Sequence, residues 1–154
     1  MFLLAEALVV RGWSLSVAES LTGGELSARL SSTPGASAWF RGGIVSYQVG
    51  VKSSLLGVHP KVIKEQGVVS EAVATGMAKG VSTALGTEIA LALTGVAGPG
   101  PQDGLPAGTV WMALYVAGKT NAVKWILDGD RESVRRASVE KSIESLSTVV
   151  LPTR

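Results

Sequence analysis

The chain has 154 residues, of which 46% are hydrophobic and 17% are charged, so it can bury a substantial core and does not have the composition of a disordered protein. The formal net charge is only +2, and the basic residues are dispersed without an aromatic stripe among them, which argues against a nucleic-acid partner. The lack of cysteine excludes disulfides, thiol catalysis and thiolate metal sites, and the one histidine, His59, cannot build a metal site alone.

The apolar stretches are too short to span a bilayer, and the start of the chain, Met1 to Leu4, lacks the basic residues and the cleavage site of a signal peptide. No linker divides the sequence. We therefore predict a single domain over residues 1–154, located in the cytoplasm and without a membrane partner.

The first half of the chain alternates between helical and strand patterns. In chain order, the patterns predict a helix through Leu8 that ends at Gly12, a strand at 15–18, a helix at about 24–30, a short helical turn within 36–41, a strand within 42–48, and a helix at about 51–56 that is ended by Gly57 and Pro60. This alternation is typical of an α/β fold.

The second half begins with a longer helix, which Ser70 opens and which runs to about Leu85 with apolar residues spaced four apart. A buried strand follows at 88–94. Strands at 109–117 and 122–127 are joined by a short turn, which predicts a hairpin, and Asp130 begins a final helix. Together the elements predict a three-layer α/β/α domain with a mixed, mostly parallel sheet of about five or six strands.

The most informative segment for function is 17–24, where an apolar strand stops in a turn that contains Ser20, Thr22 and two glycines. A hydroxyl at this place can be exposed at the carboxyl edge of the sheet, with backbone amides close to a ligand. The alternative is a simple strand-to-helix turn in which Ser20 or Thr22 caps the helix.

A second segment of the same kind, 91–100, runs from a strand into Thr94 and three glycines. Between the two lies the predicted strand that ends near Tyr47, and Lys52 follows five residues later. The three strand ends could share one cleft, so they supply Ser20, Tyr47, Lys52 and Thr94 as candidate site residues.

Six ordered motifs make the chain resemble the CinA C-terminal domain family over about Leu4 to Ser147. The motifs are AESLTGG, GGIVSYQVGVKSSLLGV, GVVSEAVATGMAKG, ALTGVAGPG, GTVWMAL and GDRESVRRASV. The chain departs from the common family pattern at Leu21, at Gln48 and in a shorter loop over 100–106.

Characterised members of this family are nicotinamide-nucleotide amidohydrolases, so the resemblance implies deamidation of nicotinamide mononucleotide to nicotinate mononucleotide and ammonia, without a metal or cofactor. It also implies that Ser20 is the nucleophile of a Ser-Lys dyad, that Lys52 is its base and that Tyr47 belongs to the same catalytic group. The candidates for substrate binding are Glu19, Thr22, Gly23, Gly24, Thr94, Gly95, Gly98 and Arg131.

Amide hydrolysis by a serine requires a base that removes the hydroxyl proton, and Lys52 can serve only when its amine is neutral. Burial or a neighbouring positive charge would lower its pKa, with Arg131 one candidate source of that charge and Tyr47 a candidate hydrogen-bond partner of the amine. Amides around Thr22 to Gly24 are the expected donors to the oxyanion. The phosphate has three candidate sites: the helix start after Gly23, the loop over 94–98, and Arg131.

Two other functional classes compete with the hydrolase. One is a nucleotide-binding module that does not turn over, and the other is an interaction protein related to competence. The family commonly forms homo-oligomers, and on this chain the adjacent Trp39 and Phe40 are the expected exposed apolar pair.

Overall fold

The computed structural model describes residues 1–151, and the last three residues of the predicted domain lie outside this range. The strands are β1 (Leu15–Glu19), β2 (Phe40–Val45), β3 (Ile89–Gly95), β4 (Thr109–Val116) and β5 (Lys119–Ile126). The helices are α1 (Phe2–Val10), α2 (Glu25–Ser31), α3 (Val49–Leu56), α4 (Pro60–Gln66), α5 (Glu71–Leu85) and α6 (Arg131–Val150), with a single 3-10 turn at Ala36–Ala38.

The five strands form one mixed sheet in the order β2-β1-β3-β4-β5. The strand β1 pairs in parallel with β2 and β3, whereas β3 with β4 and β4 with β5 pair antiparallel. The predicted α/β class with a mixed sheet is confirmed. Because β1, β2 and β3 are parallel, their carboxyl ends lie at the same edge of the sheet.

The two faces of the sheet differ in the size of their side chains. One face carries large residues such as Leu91 and Met112, which pack with α1, α2 and α6 in one buried cluster. The other face carries alanines, among them Ala92 and Ala113, which pack against α5 in a second cluster. The sheet is therefore the middle layer of three, and its small side chains allow α5 to lie close to it.

The helix α5 also approaches α3 closely at Gly80. A Cβ on Gly80 would lie 1.9 Å from the carbonyl oxygen of Leu56, so no larger residue fits there without a shift of the backbone. This contact fixes α3 against the body of the domain. The helix α3 carries Lys52, so the contact also fixes the backbone of a predicted site residue.

Local sequence signals account for the starts of two of the helices. The Ser70 hydroxyl accepts a hydrogen bond from the Val73 amide at 3.3 Å, and the Asp130 carboxylate accepts one from the Ser133 amide at 2.9 Å. The helix α2 differs, because Gly24 precedes it with a φ of 104° and no side chain of its own to cap it. The predicted alternative, in which Ser20 or Thr22 caps this helix, is therefore not what the structure shows.

The structure differs from the sequence-based expectations in three places. The segment expected to break at Pro60 forms α4, because proline is well suited to the first position of a helix and His59 caps it by accepting from the Lys61 amide. The hairpin turn is shorter than predicted, because Ala117 and Gly118 both have positive φ and close it in two residues. The prediction that Trp39 is exposed is wrong, since its side chain is only 1% exposed and belongs to the buried cluster on the large-residue face.

Among residues 1–151, none of the helices combines the length and the apolar character that a membrane crossing requires. The two most exposed large apolar side chains among these residues lie on α1, where Phe2 is 71% and Val10 is 86% exposed. Both ends of this helix therefore present apolar side chains to the outside, while Leu4 and Leu8 face the core. The apolar surface expected at Trp39 and Phe40 is therefore found on α1 instead.

Candidate active site

The candidate site lies at the carboxyl edge of the three parallel strands. Ser20 directly follows β1, Thr94 lies at the end of β3, and Tyr47 comes two residues after β2. These ends surround a cleft of about 150 Å³. Six predicted site residues line it, namely Ser20, Tyr47, Lys52, Thr94, Gly95 and Arg131.

Ser20 and Lys52 contact each other directly in this cleft. The Nζ of Lys52 lies 3.0 Å from the Oγ of Ser20, and it also donates a hydrogen bond to the backbone carbonyl of Ser46 at 2.5 Å. The strand β1 places the serine, and the first turn of α3 places the lysine. The Ser46 carbonyl accepts a hydrogen bond from one N–H of the amine. This bond orients the other substituent positions of the Lys52 nitrogen toward Ser20.

Lys52 is 1% exposed although it is a lysine, which is rare unless the charge is paired. Desolvation by burial lowers the pKa of Lys52 to about 8, from an ordinary value of 10.5. About a tenth of the Lys52 amine is therefore neutral at pH 7. The geometry and this pKa together give the lysine what a general base requires, an accessible lone pair within reach of a hydroxyl proton.

Tyr47 and Arg131 lie in the cleft but do not act on Lys52 as expected. The Tyr47 hydroxyl accepts a hydrogen bond from Nη2 of Arg131 at 2.9 Å, and Nη1 of Arg131 donates to the Gly98 carbonyl at 2.7 Å. The amine of Lys52 is held by Ser46 instead of Tyr47. Its pKa is lowered by burial, not by the charge of Arg131.

Arg131 therefore links two sides of the cleft, the segment after β2 and the loop after β3. Its side chain lies on the outer part of the cleft and is exposed, as is Tyr47. A guanidinium at this place is a fixed positive charge at the mouth of a cavity whose inner end holds Ser20 and Lys52. It is the part of the site best placed to meet an anionic group of a ligand.

Glu19 lies behind the cleft and is fully engaged. Its carboxylate is buried and accepts hydrogen bonds from the amides of Gly24 at 3.1 Å, Leu26 at 3.0 Å and Ser27 at 2.8 Å, and from the Ser27 hydroxyl at 2.6 Å. It thus caps α2 from a distance in sequence, which is why Gly24 can begin the helix without a side chain. The structure leaves no free lone pair of this carboxylate facing a ligand in the cleft.

The same contacts decide which backbone amides remain available near Ser20. The Gly24 amide is bound to Glu19, and the Gly23 amide donates to the Ser20 carbonyl at 3.0 Å. These two glycines are therefore not free to bind an oxyanion, contrary to expectation. The amides of Leu21 and Thr22 have no acceptor among residues 1–151. Thr22 itself is buried and lies outside the cleft lining.

Thr94 and the glycines after it have separate roles. The Thr94 hydroxyl donates to the Val68 carbonyl at 2.8 Å, so toward the cleft its oxygen can only accept. A Cβ on Gly95 would lie 2.8 Å from the Thr109 carbonyl, so that glycine is required by close packing of β4. Gly98 contributes its carbonyl to Arg131 and is not part of the cleft lining.

Several residues of the site carried no signal that sequence analysis could use. The cleft is also lined by Leu21, Val49, Val68, Val69, Ala97 and Gln102. Ser46 acts through a backbone carbonyl, which every residue has. Gln48, where the sequence departs from the common pattern, precedes α3 and does not line the cleft. Arg135 could have been found, because it lies one helical turn after Arg131 on the same face of α6.

Comparison with known proteins agrees with this arrangement of elements. The family model described as the CinA C-terminal domain matches residues 2–150. The chain belongs to the CinA C-terminal domain family. A CinA-like protein of Frankia casuarinae is 47% identical over 137 residues, which are 89% of this chain and 32% of that protein.

Solved structures of the CinA superfamily show the same fold. The competence damage-inducible protein A of Klebsiella pneumoniae superposes with a TM-score of 0.93 at 37% identity, over 96% of this chain and 92% of that one. The competence or damage-inducible protein of Enterobacter asburiae gives a TM-score of 0.95 at 32% identity, over 97% and 94% of the two chains. The chain spans about a third of the length of the curated relatives it matches.

Proposed function

We propose that this CinA domain hydrolyses the carboxamide of nicotinamide mononucleotide, releasing nicotinate mononucleotide and ammonia in the salvage of pyridine nucleotides. The observation that carries the proposal is the contact of 3.0 Å between Ser20 Oγ and the buried Nζ of Lys52. A serine paired with a lysine of lowered pKa is a nucleophile and base for acyl transfer that needs neither histidine nor metal.

The proposed reaction proceeds through an acyl-enzyme. Ser20 Oγ attacks the carboxamide carbon while its proton passes to Nζ of Lys52. The C–N bond then breaks, and Lys52 returns the proton to the leaving ammonia. A water molecule next attacks the ester carbonyl, Lys52 accepts a proton from it, and the C–O bond to Ser20 breaks, with the proton returned to the serine. The product is a carboxylic acid, which loses its proton to water and leaves as the carboxylate, and the enzyme is restored.

The polar groups of the cleft fit an amide better than a carboxylate. The Thr94 oxygen can only accept toward the cleft, because its proton is donated to the Val68 carbonyl. A carboxamide offers an N–H to this oxygen, whereas the product carboxylate offers only lone pairs. Thr94 thus favours binding of the substrate and weakens binding of the product.

The size of the cleft also bears on the proposal. At about 150 Å³ it lies below the range of about 300–1,000 Å³ that is typical of pockets enclosing a whole drug-sized ligand. It suits the ring that bears the carboxamide, with the ribose phosphate extending past the mouth. Arg131 stands there as the candidate phosphate partner, because the α2 amides are already bound to Glu19.

Ammonia release from nicotinamide mononucleotide tests the proposal. We expect turnover by the wild type, loss of turnover in Ser20→Ala and ordinary turnover in Ser37→Ala, which alters an exposed serine away from the cleft. Calorimetry with the same nucleotide separates the competing classes. Binding without ammonia would support a silent module, and the absence of both would support an interaction protein.

We also propose that the domain self-associates and works in the cytoplasm, where the nucleotide pool lies. The apolar surface that supports self-association is the outer face of α1 with Phe2 and Val10. Light scattering after size exclusion should give a mass above that of one chain, 15.8 kDa, and Val10→Glu should reduce it. A monomer at every concentration would contradict the proposal.

A further inference from the structure

Arg135 contacts the loop that follows Ser20 but does not line the cleft. Its Nε donates to the Leu21 carbonyl at 3.1 Å, and its Nη2 donates to the Thr22 carbonyl at 3.2 Å. The same Nη2 lies 3.4 Å from a carboxylate oxygen of Glu25. The guanidinium therefore fixes two consecutive carbonyls directly after the proposed nucleophile.

Fixing these carbonyls also fixes the amides on the other side of each peptide. In a trans peptide the C=O and the N–H point in opposite directions, so a held carbonyl determines where the next amide points. The Thr22 carbonyl is held by Arg135, and this orients the Gly23 amide. The Gly23 amide donates to the Ser20 carbonyl at 3.0 Å, and this contact in turn orients the Leu21 amide. The Leu21 carbonyl is held by Arg135, and this orients the Thr22 amide.

The two amides oriented in this way have no acceptor within residues 1–151. Leu21 lines the cleft next to Ser20, so its backbone is at the place where negative charge would develop during attack by the serine. Other amides of this turn are already engaged, since Gly23 is bound to Ser20 and Gly24 to Glu19. A free, oriented amide beside the nucleophile, as Leu21 provides, is what an oxyanion site requires.

We propose that the Leu21 amide binds the oxyanion and that Arg135 is the positioning residue that holds this amide in place. The inference rests on the proposed amidohydrolase function, because it assigns a part of the same reaction. A guanidinium suits this role better than an ammonium, since its planar fork donates to both carbonyls at once. The Glu25 carboxylate is an acceptor and cannot hydrogen-bond to either carbonyl, whereas the Glu25 amide shares the Thr22 carbonyl with Arg135 and donates to it at 3.0 Å.

The experiment compares Arg135→Met with Arg136→Met, which removes the neighbouring arginine that forms an exposed ion pair with Glu132. The first measurement uses nicotinamide mononucleotide. We expect kcat to fall by about 10- to 100-fold in Arg135→Met. We expect KM to change by less than about twofold, and the midpoint of the pH profile to shift by less than about half a pH unit. We expect wild-type values in Arg136→Met and nearly wild-type values in Glu25→Gln.

The second measurement does not depend on the natural substrate. A fluorophosphonate probe labels an activated serine, forming an O–P bond at Ser20 with loss of fluoride while the serine proton passes to Lys52. Its transition state also develops charge on an oxygen, so labelling should slow by about the same factor in Arg135→Met. Arg135→Lys, which can reach one carbonyl, should recover part of the rate and guards against a methionine variant that does not fold.

The outcomes separate this inference from the proposed function. A wild type that is labelled but does not release ammonia, with slow labelling in Arg135→Met, would overturn the substrate and retain the positioning role. Labelling of folded Arg135→Met or Arg135→Lys at the wild-type rate would overturn the positioning role, as would a rise in KM with unchanged kcat. A wild-type Ser20 that the probe does not label would overturn both.

Discussion

Substitution of Lys52 with methionine keeps the length of the buried side chain but removes the Nζ that lies 3.0 Å from Ser20 Oγ. If the amine is the base, the rate of ammonia release should fall by about a thousandfold or more, since a general base contributes about 10²–10⁴ and a dyad loses its nucleophile with it. Lys61→Met is the matched control, because Lys61 is an exposed lysine in α4. We expect it to keep wild-type activity.

The wild-type pH profile gives the quantitative part of this prediction. With the pKa of Lys52 at about 8, about 9% of the amine is neutral at pH 7 and about 91% at pH 9. The value of kcat/KM should therefore rise about tenfold between these two pH values and then reach a plateau. Ammonia should be measured directly, because alkaline cleavage of the nucleotide at its glycosidic bond releases nicotinamide and not ammonia.

Two results would refute this reasoning. A profile that is flat from pH 6 to 10, or one whose midpoint lies near the ordinary lysine value of 10.5, would show that the titration of a desolvated Lys52 does not control the rate. Substantial activity in Lys52→Met, with none in Ser20→Ala, would assign the base to another group.

Three further predictions concern stability and recognition. Because the folded-state pKa of Lys52 is lowered below 10.5, the charged form of the lysine destabilises the folded state at pH 7. The free energy of unfolding of the wild type, measured with urea, should therefore rise relative to that of Lys52→Met by about 1 kcal/mol between pH 7 and 9. A constant difference between the two proteins would contradict this. Glu19→Gln should destabilise the protein by about 2–4 kcal/mol, since its amide nitrogen would meet N–H donors, whereas the exposed Glu132→Gln should change the unfolding free energy by less than about 0.5 kcal/mol; equal unfolding curves would mean that the Glu19 carboxylate is free for another role. Thr94→Val should lower kcat/KM for the amide by about 10- to 100-fold with recovery in Thr94→Ser, and unchanged kinetics in the valine variant would remove Thr94 from amide recognition.

The sequence predicted those parts of the fold that follow from local periodicity. The helix α5 shows this well, because its apolar residues recur every fourth position and Val73, Met77 and Val81 are all buried. The strands β1 and β3 were equally clear, since each is a short apolar run that ends in a hydroxyl residue and glycine. Because parallel strands share an edge, these ends also predicted where the cleft would be.

The parts that the sequence did not predict depend on partners far along the chain. Trp39 is buried because α1 and the sheet cover it, and nothing in its neighbourhood of the sequence says so. Glu19 looked like a ligand-binding carboxylate beside Ser20, yet it caps a helix that begins six residues later. The hydrogen-bond partners of Lys52 and Tyr47 were likewise a matter of side-chain direction, which strand and helix patterns do not determine.

The burial of Lys52 and the capping by Glu19 serve one purpose in this site. Desolvation makes the lysine neutral enough to act as a base, and it requires an apolar surround that excludes water from the dyad. A free carboxylate beside Ser20 would oppose this, because it would favour the ammonium form of the lysine. The start of α2 takes up that charge, because three backbone amides, of Gly24, Leu26 and Ser27, and the Ser27 hydroxyl donate the four hydrogen bonds of Glu19. In the proposed mechanism, the turn after β1 thus separates the Glu19 carboxylate from the base that it would otherwise keep protonated.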